Sequence, residues 1–180
     1  MQKTRLCFVL MPFGIRKDSG GGADIDFDAI YEQAIRPAIQ AASMEPLRAD
    51  EEFTTSSGLQ KTISERLLLS DFAVADVTMR NPQVFLDLSA RNALRPGTTL
   101  AIFARNEKLP LDAGDLRVLA YDLADGNRFT TREAVKLRRA LTRELERLSE
   151  SAPDFSALET GSLELRKQTL DAAEKERAIA

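Results

Sequence analysis

The chain alternates short, fully apolar runs with longer stretches in which apolar residues recur at helical spacing. Leu6 to Met11 is apolar throughout and is closed by Pro12-Phe13-Gly14. A run of that kind and length suits a strand buried on both faces, as in a parallel sheet. Arg16 to Asp24, with Gly20-Gly21-Gly22, reads as a loop. Phe27, Ile30, Tyr31, Ala34, Ala38 and Ala42 then follow at helical spacing, and Pro37 is expected to kink that helix or mark its late turn. Met44 to Arg48 is a second strand. Ser57 and Gln60 have capping-box spacing ahead of a helix that runs to Leu69. Phe72 to Ala75 is a third strand, ending at Asp76. Asn81-Pro82 opens a helix as N-cap and first helical residue, and Val84, Phe85, Leu88 and Ala93 carry it to Arg95-Pro96-Gly97. Thr98 to Ala104 and Val118 to Leu123 are the fourth and fifth strands. Thr130 and Glu133 repeat the capping-box spacing, and Leu137, Leu141, Leu145 and Leu148 give the last helix a face that packs on the sheet.

Strands alternating with helices predict an α/β fold with a parallel sheet and right-handed crossovers. The pattern changes from Ser149, where Ser151, Pro153, Ser156, Thr160 and Gly161 interrupt it. The expected organisation is one α/β domain over 1–150 and a helical C-terminal extension over 151–180. The thin stripe of Leu163, Leu170 and Ala173 suits an oligomerisation helix, a linker or a frayed tail. In such sheets ligands bind at the carboxyl ends of the strands. The positions to inspect are therefore Pro12-Phe13-Gly14, Arg48 to Glu52, Asp76-Val77-Thr78 and Arg105 onward. Gly14, Asp50 and Asp76 are expected to converge on one pocket with Asp87.

Composition narrows the chemistry. At 43% hydrophobic and 29% charged, the 180 residues are neither a disordered nor a collagen-like chain. No stretch approaches the length of a transmembrane helix, so no membrane partner is expected. The net charge of -3 gives no basic footprint, so nucleic acid is not an expected partner either. There is no His, which removes Ser-His-Asp and Cys-His catalysis and histidine-ligated zinc. Cys7 stands alone, so no disulfide or cysteine metal site can form within the chain. Neither a metal nor a cofactor is expected, and catalysis must rest on carboxylates, hydroxyls, Lys or Arg, or backbone amides. Met1 to Arg5 lead into an apolar stretch too short for a signal segment and without a small-residue cleavage site, which points to the cytoplasm.

Three acidic positions follow. Asp76 ends a buried strand, where a carboxylate is costly without donors, water or ligand; the structural alternative is a cap for the Val77-Thr78 turn. Asp87 lies on the helix after Asn81-Pro82, where an exposed helical position is the alternative. Asp50-Glu51-Glu52 is a candidate binding cluster or a solvated loop. Gly14 and the triple glycine would let backbone amides approach a phosphate, although no phosphate-loop or dinucleotide fingerprint is present. Arg16, Lys17, Arg48, Arg91 and Arg95 are candidate phosphate contacts, or solvated surface charges.

Several segments in order resemble one family: Cys7 to Gly14 (CFVLMPFG), Ile30 to Ile39 (IYEQAIRPAI), Glu45 to Glu51 (EPLRADE), Glu65 to Thr78 (ERLLLSDFAVADVT) and Asn81 to Pro96 (NPQVFLDLSARNALRP). They are similar to the bacterial TIR-like, nucleoside 2-deoxyribosyltransferase-like group, and to the N-terminal domain of apoptosis signal-regulating kinases. The resemblance spans about residues 5–125. It implies a flavodoxin-like, TIR-like three-layer sandwich with about five parallel strands. In the transferase-like members the helix motif reads Asn-Pro-Asn-Val-Phe-Tyr-Glu-Leu-Gly. Its Glu attacks or stabilises the anomeric carbon, and the Asp at the preceding strand end contacts sugar or base. Those positions are Asp87 and Asp76 here, as catalytic candidates. Pro12, Phe13, Gly14, Arg16, Arg48, Asp50, Thr78 and Asn81 are the expected substrate-binding residues.

The chain departs from that motif with Leu86 for Tyr, Asp87 for Glu, Ser89 for Gly and Asn92 for His. Asp is one methylene shorter than Glu, a shortfall of about 1 Å that can cost about 10²-fold in rate. Two functions are thus expected. One is a nucleotide-binding enzyme that cleaves an N-glycosidic bond of NAD or a nucleoside through a carboxylate. The other is a non-catalytic nucleotide-sensing or protein-interaction module in signalling or defence. The partners are a nucleotide or nucleoside, and a second copy or a partner protein.

Overall fold

The computed structural model describes residues 5–17, 23–50, 59–105 and 116–152. Its main sheet holds β1 (Arg5–Leu10), β4 (Met44–Arg48), β5 (Phe72–Asp76), β6 (Thr99–Ala104) and β7 (Arg117–Tyr121), all parallel. Two short strands, β2 (Ile15–Arg16) and β3 (Ile25–Asp26), pair antiparallel as a separate ribbon. The spatial order β4-β1-β5-β6-β7 is that of a flavodoxin-like α/β sheet.

Register explains why the first strand is apolar from Leu6 to Leu10. Val9 pairs with Arg48 on one side and Val74 on the other. Cys7, Val9, Val74, Leu100 and Ile102 form one face of the core, against Phe27, Ile30, Tyr31 and the leucines 137, 141, 145 and 148. Phe8, Leu10 and Ala75 form the other, against Leu67, Val84 and Leu88. The helices on these faces are α1 (Phe27–Ile30), α2 (Arg36–Ala41) and α5 (Thr131–Ser151) on the first, and α3 (Leu59–Leu69) and α4 (Pro82–Leu94) on the second. Burial pushes the Cys7 thiol up to about 12, so it is a core methyl-sized group rather than a nucleophile.

Pro37 leaves its mark one turn earlier than a simple kink. Between α1 and α2, Tyr31–Ile35 is a π-helical turn, in which the Arg36 N–H donates to the Tyr31 carbonyl. Proline has no N–H and its ring crowds the carbonyl four residues back, here Gln33. A locally widened turn relieves that crowding without breaking the helix. The fifth strand stops at Tyr121, short of Leu123, because its partner β6 ends at Ala104, opposite Tyr121.

Arg91 and Arg95 take a place other than the phosphate role expected of them. Arg91 is fully buried. Its Nη1 donates to the carbonyls of Leu67 (2.6 Å) and Ser70 (2.8 Å), and its Nη2 to the Asp71 carbonyl (3.1 Å) and Thr98 Oγ1 (2.9 Å). Arg95 Nη1 donates to the Leu68 carbonyl at 2.8 Å. Both arginines thus cap the C-terminal carbonyls of α3, which have no intrahelical donors and carry the negative end of the helix dipole. Asp71 and Thr98 lie at the amino ends of β5 and β6, the edge of the sheet opposite the expected ligand site. Burial, and then Arg95, bring the Arg91 pKa down to about 10, which leaves it cationic at neutral pH.

Helix α5 ends at Ser151. Residues 153–180 of the expected extension lie outside the described residues, as do Gly20 to Gly22, Glu51, Glu52 and Ser57. Among the described residues no helix is long and apolar enough to cross a membrane.

Candidate functional site

β1 lies between β4 and β5, and the chain leaves β1 and β4 toward opposite faces of the sheet. That reversal opens a crevice at the carboxyl end of β1. A cavity of about 420 Å³ occupies it. Leu10, Met11, Pro12 and Phe13 line it from β1 and the following turn, and Ala49 and Asp50 from the end of β4. Arg16 and Ile63 contribute from β2 and α3, and Asn81, Gln83, Val84 and Asp87 from the first turns of α4.

Helix α4 begins where it does because Asn81 Oδ1 accepts the N–H groups of Gln83 (2.9 Å) and Val84 (3.5 Å), while Pro82 supplies a fixed first turn. Gln83, Val84 and Asp87 then share a face, being three and four residues apart. Gln83 Nε2 donates to Asp87 Oδ1 at 2.9 Å. Asp87 is half-buried, and that burial raises its pKa above the usual carboxylate value; the Gln83 hydrogen bond pulls the other way. Leu86, Ser89 and Asn92 do not line the cavity. Ser89 Oγ turns back to the Phe85 carbonyl at 2.8 Å.

Arg48 is built into the wall and is not presented to the cavity. Its Nε and Nη2 donate to Asp50 Oδ1 (2.6 Å) and Oδ2 (2.7 Å), and its Nη1 to Asp28 Oδ1 (2.8 Å). Its guanidinium also lies 4.4 Å from the Tyr31 ring centroid and 5.6 Å from that of Phe13. Burial alone would lower its pKa, but the hydrogen bonds to Asp50 and Asp28 outweigh it and the pKa is raised. Gly14 is committed too. It adopts a left-handed φ of +66°, its N–H donates to Asp28 Oδ1 (3.2 Å) and its carbonyl accepts from Phe27 (3.1 Å). Its amide is therefore taken by Asp28 and is not left for a phosphate.

Asp76 and Thr78 belong to a second polar group that does not line the cavity. Asp76 is fully buried. Its Oδ1 accepts the Thr78 N–H and its Oδ2 the Tyr121 hydroxyl, each at 3.0 Å. Thr78 Oγ1 lies 3.0 Å from the Tyr121 hydroxyl and accepts the Ala104 N–H at 3.0 Å. The Asp76 to Thr78 contact is the turn cap, and the network ties together the carboxyl ends of β5, β6 and β7.

The cavity therefore gathers Pro12, Phe13, Arg16, Asp50, Asn81 and Asp87, while Gly14 and Arg48 support its wall and Asp76 and Thr78 lie apart. Gln83 and Tyr121 were not singled out in the sequence. Gln83 was detectable as the residue one helical turn before Asp87; Tyr121 carried no signal beyond its strand. A shallower cleft of about 320 Å³ shares Pro12, Arg16 and Asn81 with the cavity and adds Lys17, Met79 and Pro82. Arg16 and Lys17 are exposed, and neither forms an ion pair within the described residues. Among the described residues no cluster of three or more His, Cys, Asp or Glu is placed to hold a metal ion.

Comparison with protein-family models gives no match, nor does comparison with curated proteins. Fold and site together define an α/β protein of flavodoxin-like topology with a ligand-sized cavity at its switch point. That cavity has apolar walls and two carboxylates, one clamped by an arginine and one held by a neutral amide.

Proposed function

We propose that the chain is a nucleotide-binding TIR-like domain that cleaves the N-glycosidic bond of NAD or a nucleoside, with Asp87 as its catalytic carboxylate. The observation that carries this reading is Asp87 itself: half-buried in a largely apolar cavity, at the switch point, with an amide as its only partner among the described residues. The segments that resemble the deoxyribosyltransferase-like group support it. Leu10, Met11, Phe13 and Val84 offer the base an apolar surface. Gln83 holds Asp87 Oδ1, which leaves Oδ2 for the sugar. As the bond from the anomeric carbon to the base nitrogen breaks, its electron pair leaves with the base. The carboxylate then stabilises the oxocarbenium-like centre or traps it covalently, and water completes the hydrolysis. Arg16 and Lys17 in the adjoining cleft form the phosphate side. A cytoplasmic setting accords with the single, buried thiol.

A non-catalytic sensing or assembly module is the second reading, and the shorter side chain at position 87 favours it. Chromatography of NAD and a nucleoside panel after incubation with pure protein separates the two. The enzyme releases free base, loses activity in Asp87→Ala and gains it in Asp87→Glu. Equal, substantial hydrolysis by wild type and Asp87→Ala overturns the role of Asp87. Ligand binding with no hydrolysis by any of the three proteins establishes the module.

A further inference from the structure

Beside the Arg16 guanidinium, the cavity wall carries several acceptors. Asp50 and Asp87 are ionisable acceptors on two of its walls. The Asn81 amide oxygen is consumed by the helix start and the Gln83 amide nitrogen by Asp87, which leaves Gln83 Oε1 as a further acceptor. A ligand that satisfies these acceptors must bring hydroxyl or N–H donors of its own.

Asp50 is the group best arranged to receive a pair of them. An ionised carboxylate has about four lone-pair sites. Arg48 Nε and Nη2 take one on each oxygen, so one remains on each. The fork of the guanidinium fixes the carboxylate plane, and Phe13 and Tyr31 hold the guanidinium in turn. The Asp50 side chain keeps 32% of its surface open. It follows β4, the strand beside β1, across the crevice from α4. In dinucleotide-binding sheets a carboxylate reads the ribose hydroxyl beside the same kind of crevice. Two parallel acceptor sites on a rigid carboxylate match two vicinal hydroxyls.

We infer that Asp50 is the sugar-reading residue of this cavity, accepting the 2′- and 3′-hydroxyls of a ribofuranose, so that the ligand is a ribonucleoside rather than a 2′-deoxyribonucleoside. This rests on the nucleoside reading of the cavity and goes beyond it, because the catalytic carboxylate alone does not distinguish the two sugars.

Isothermal calorimetry of the wild-type protein with adenosine, guanosine, cytidine and uridine, each against its 2′-deoxy counterpart, tests it. The ribonucleoside of any bound pair is expected to bind about 10- to 100-fold tighter, the worth of a hydrogen bond to a charged acceptor. In Asp50→Ala, with its fold checked by circular dichroism, that ratio falls toward one. Equal or tighter binding of the 2′-deoxy member by wild type overturns the inference and leaves the nucleoside reading standing. So does a full ratio retained in a folded Asp50→Ala. Absence of binding by all eight overturns the nucleoside reading and this inference with it.

Discussion

Replacing Arg48 by Met removes the cation that organises the cavity wall while keeping much of its apolar stem. Its partners are two carboxylates, and the surroundings decide how much their loss costs. The Arg48 side chain is 9% exposed, Asp50 32% and Asp28 50%. Removing one partner of a fully buried ion pair costs about 3–5 kcal/mol. Here both carboxylates reach solvent, which screens the charge left behind. The expected loss is about 2–4 kcal/mol, including about 0.5–1 kcal/mol for each cation–π contact with Tyr31 and Phe13. At about 2–4 °C per kcal/mol for a chain of this size, Tm falls by about 5–15 °C. Urea titration of wild type, Arg48→Met, Asp50→Asn and the double variant isolates the pair, with a coupling of about 1–3 kcal/mol. A Tm within about 2 °C of wild type, or additive single effects, would refute the view that Arg48 is committed to the wall. It would return Arg48 to the list of free cations available to a ligand.

The pH dependence of stability reports on Asp87. Its folded pKa is raised, by burial, so its contribution is fully present below the ordinary carboxylate pKa and fades as pH rises through the folded value. Urea midpoints for Asp87→Asn should gain on wild type across that window, and parallel curves at every pH would show that the carboxylate is not desolvated. Arg91→Lys keeps the charge but cannot reproduce a fork that serves three carbonyls and Thr98. It should cost about 2–4 kcal/mol in the same titration while leaving nucleoside affinity unchanged, since Arg91 sits at the far edge of the sheet.

The fold was legible because its central strands, β1, β5 and β6, are buried on both sides. A run such as Leu6 to Met11 has no polar face to confuse with a surface strand, and its two faces supply both halves of the core. The strand ends were legible to a residue or two. What shifts them is pairing, as where the end of β6 sets the end of β7. The π turn was not legible: Pro37 announces a conflict with the carbonyl before it, but whether the helix bends or widens depends on how tightly Tyr31, Ala34 and Ile35 are held in the core.

The site divides along a different line. Residue type and strand-end position identify a charge near the crevice, but the charge becomes a ligand contact only if its protein partners leave it hydrogen-bonding capacity to spare. Arg48 meets Asp50 two residues away and Asp28 twenty residues away. Asp76 meets Tyr121 forty-five residues away. Such partners are fixed by the register of the sheet and the path of the first crossover, which no local pattern encodes. Asp87 differs because helix geometry decides its surroundings locally. The residue one turn earlier is Gln83, a neutral amide, and no cation pairs with Asp87 within the described residues. Burial therefore acts on this carboxylate without compensation by a charge. That is the condition under which a carboxylate gains from a developing positive centre on a bound ligand.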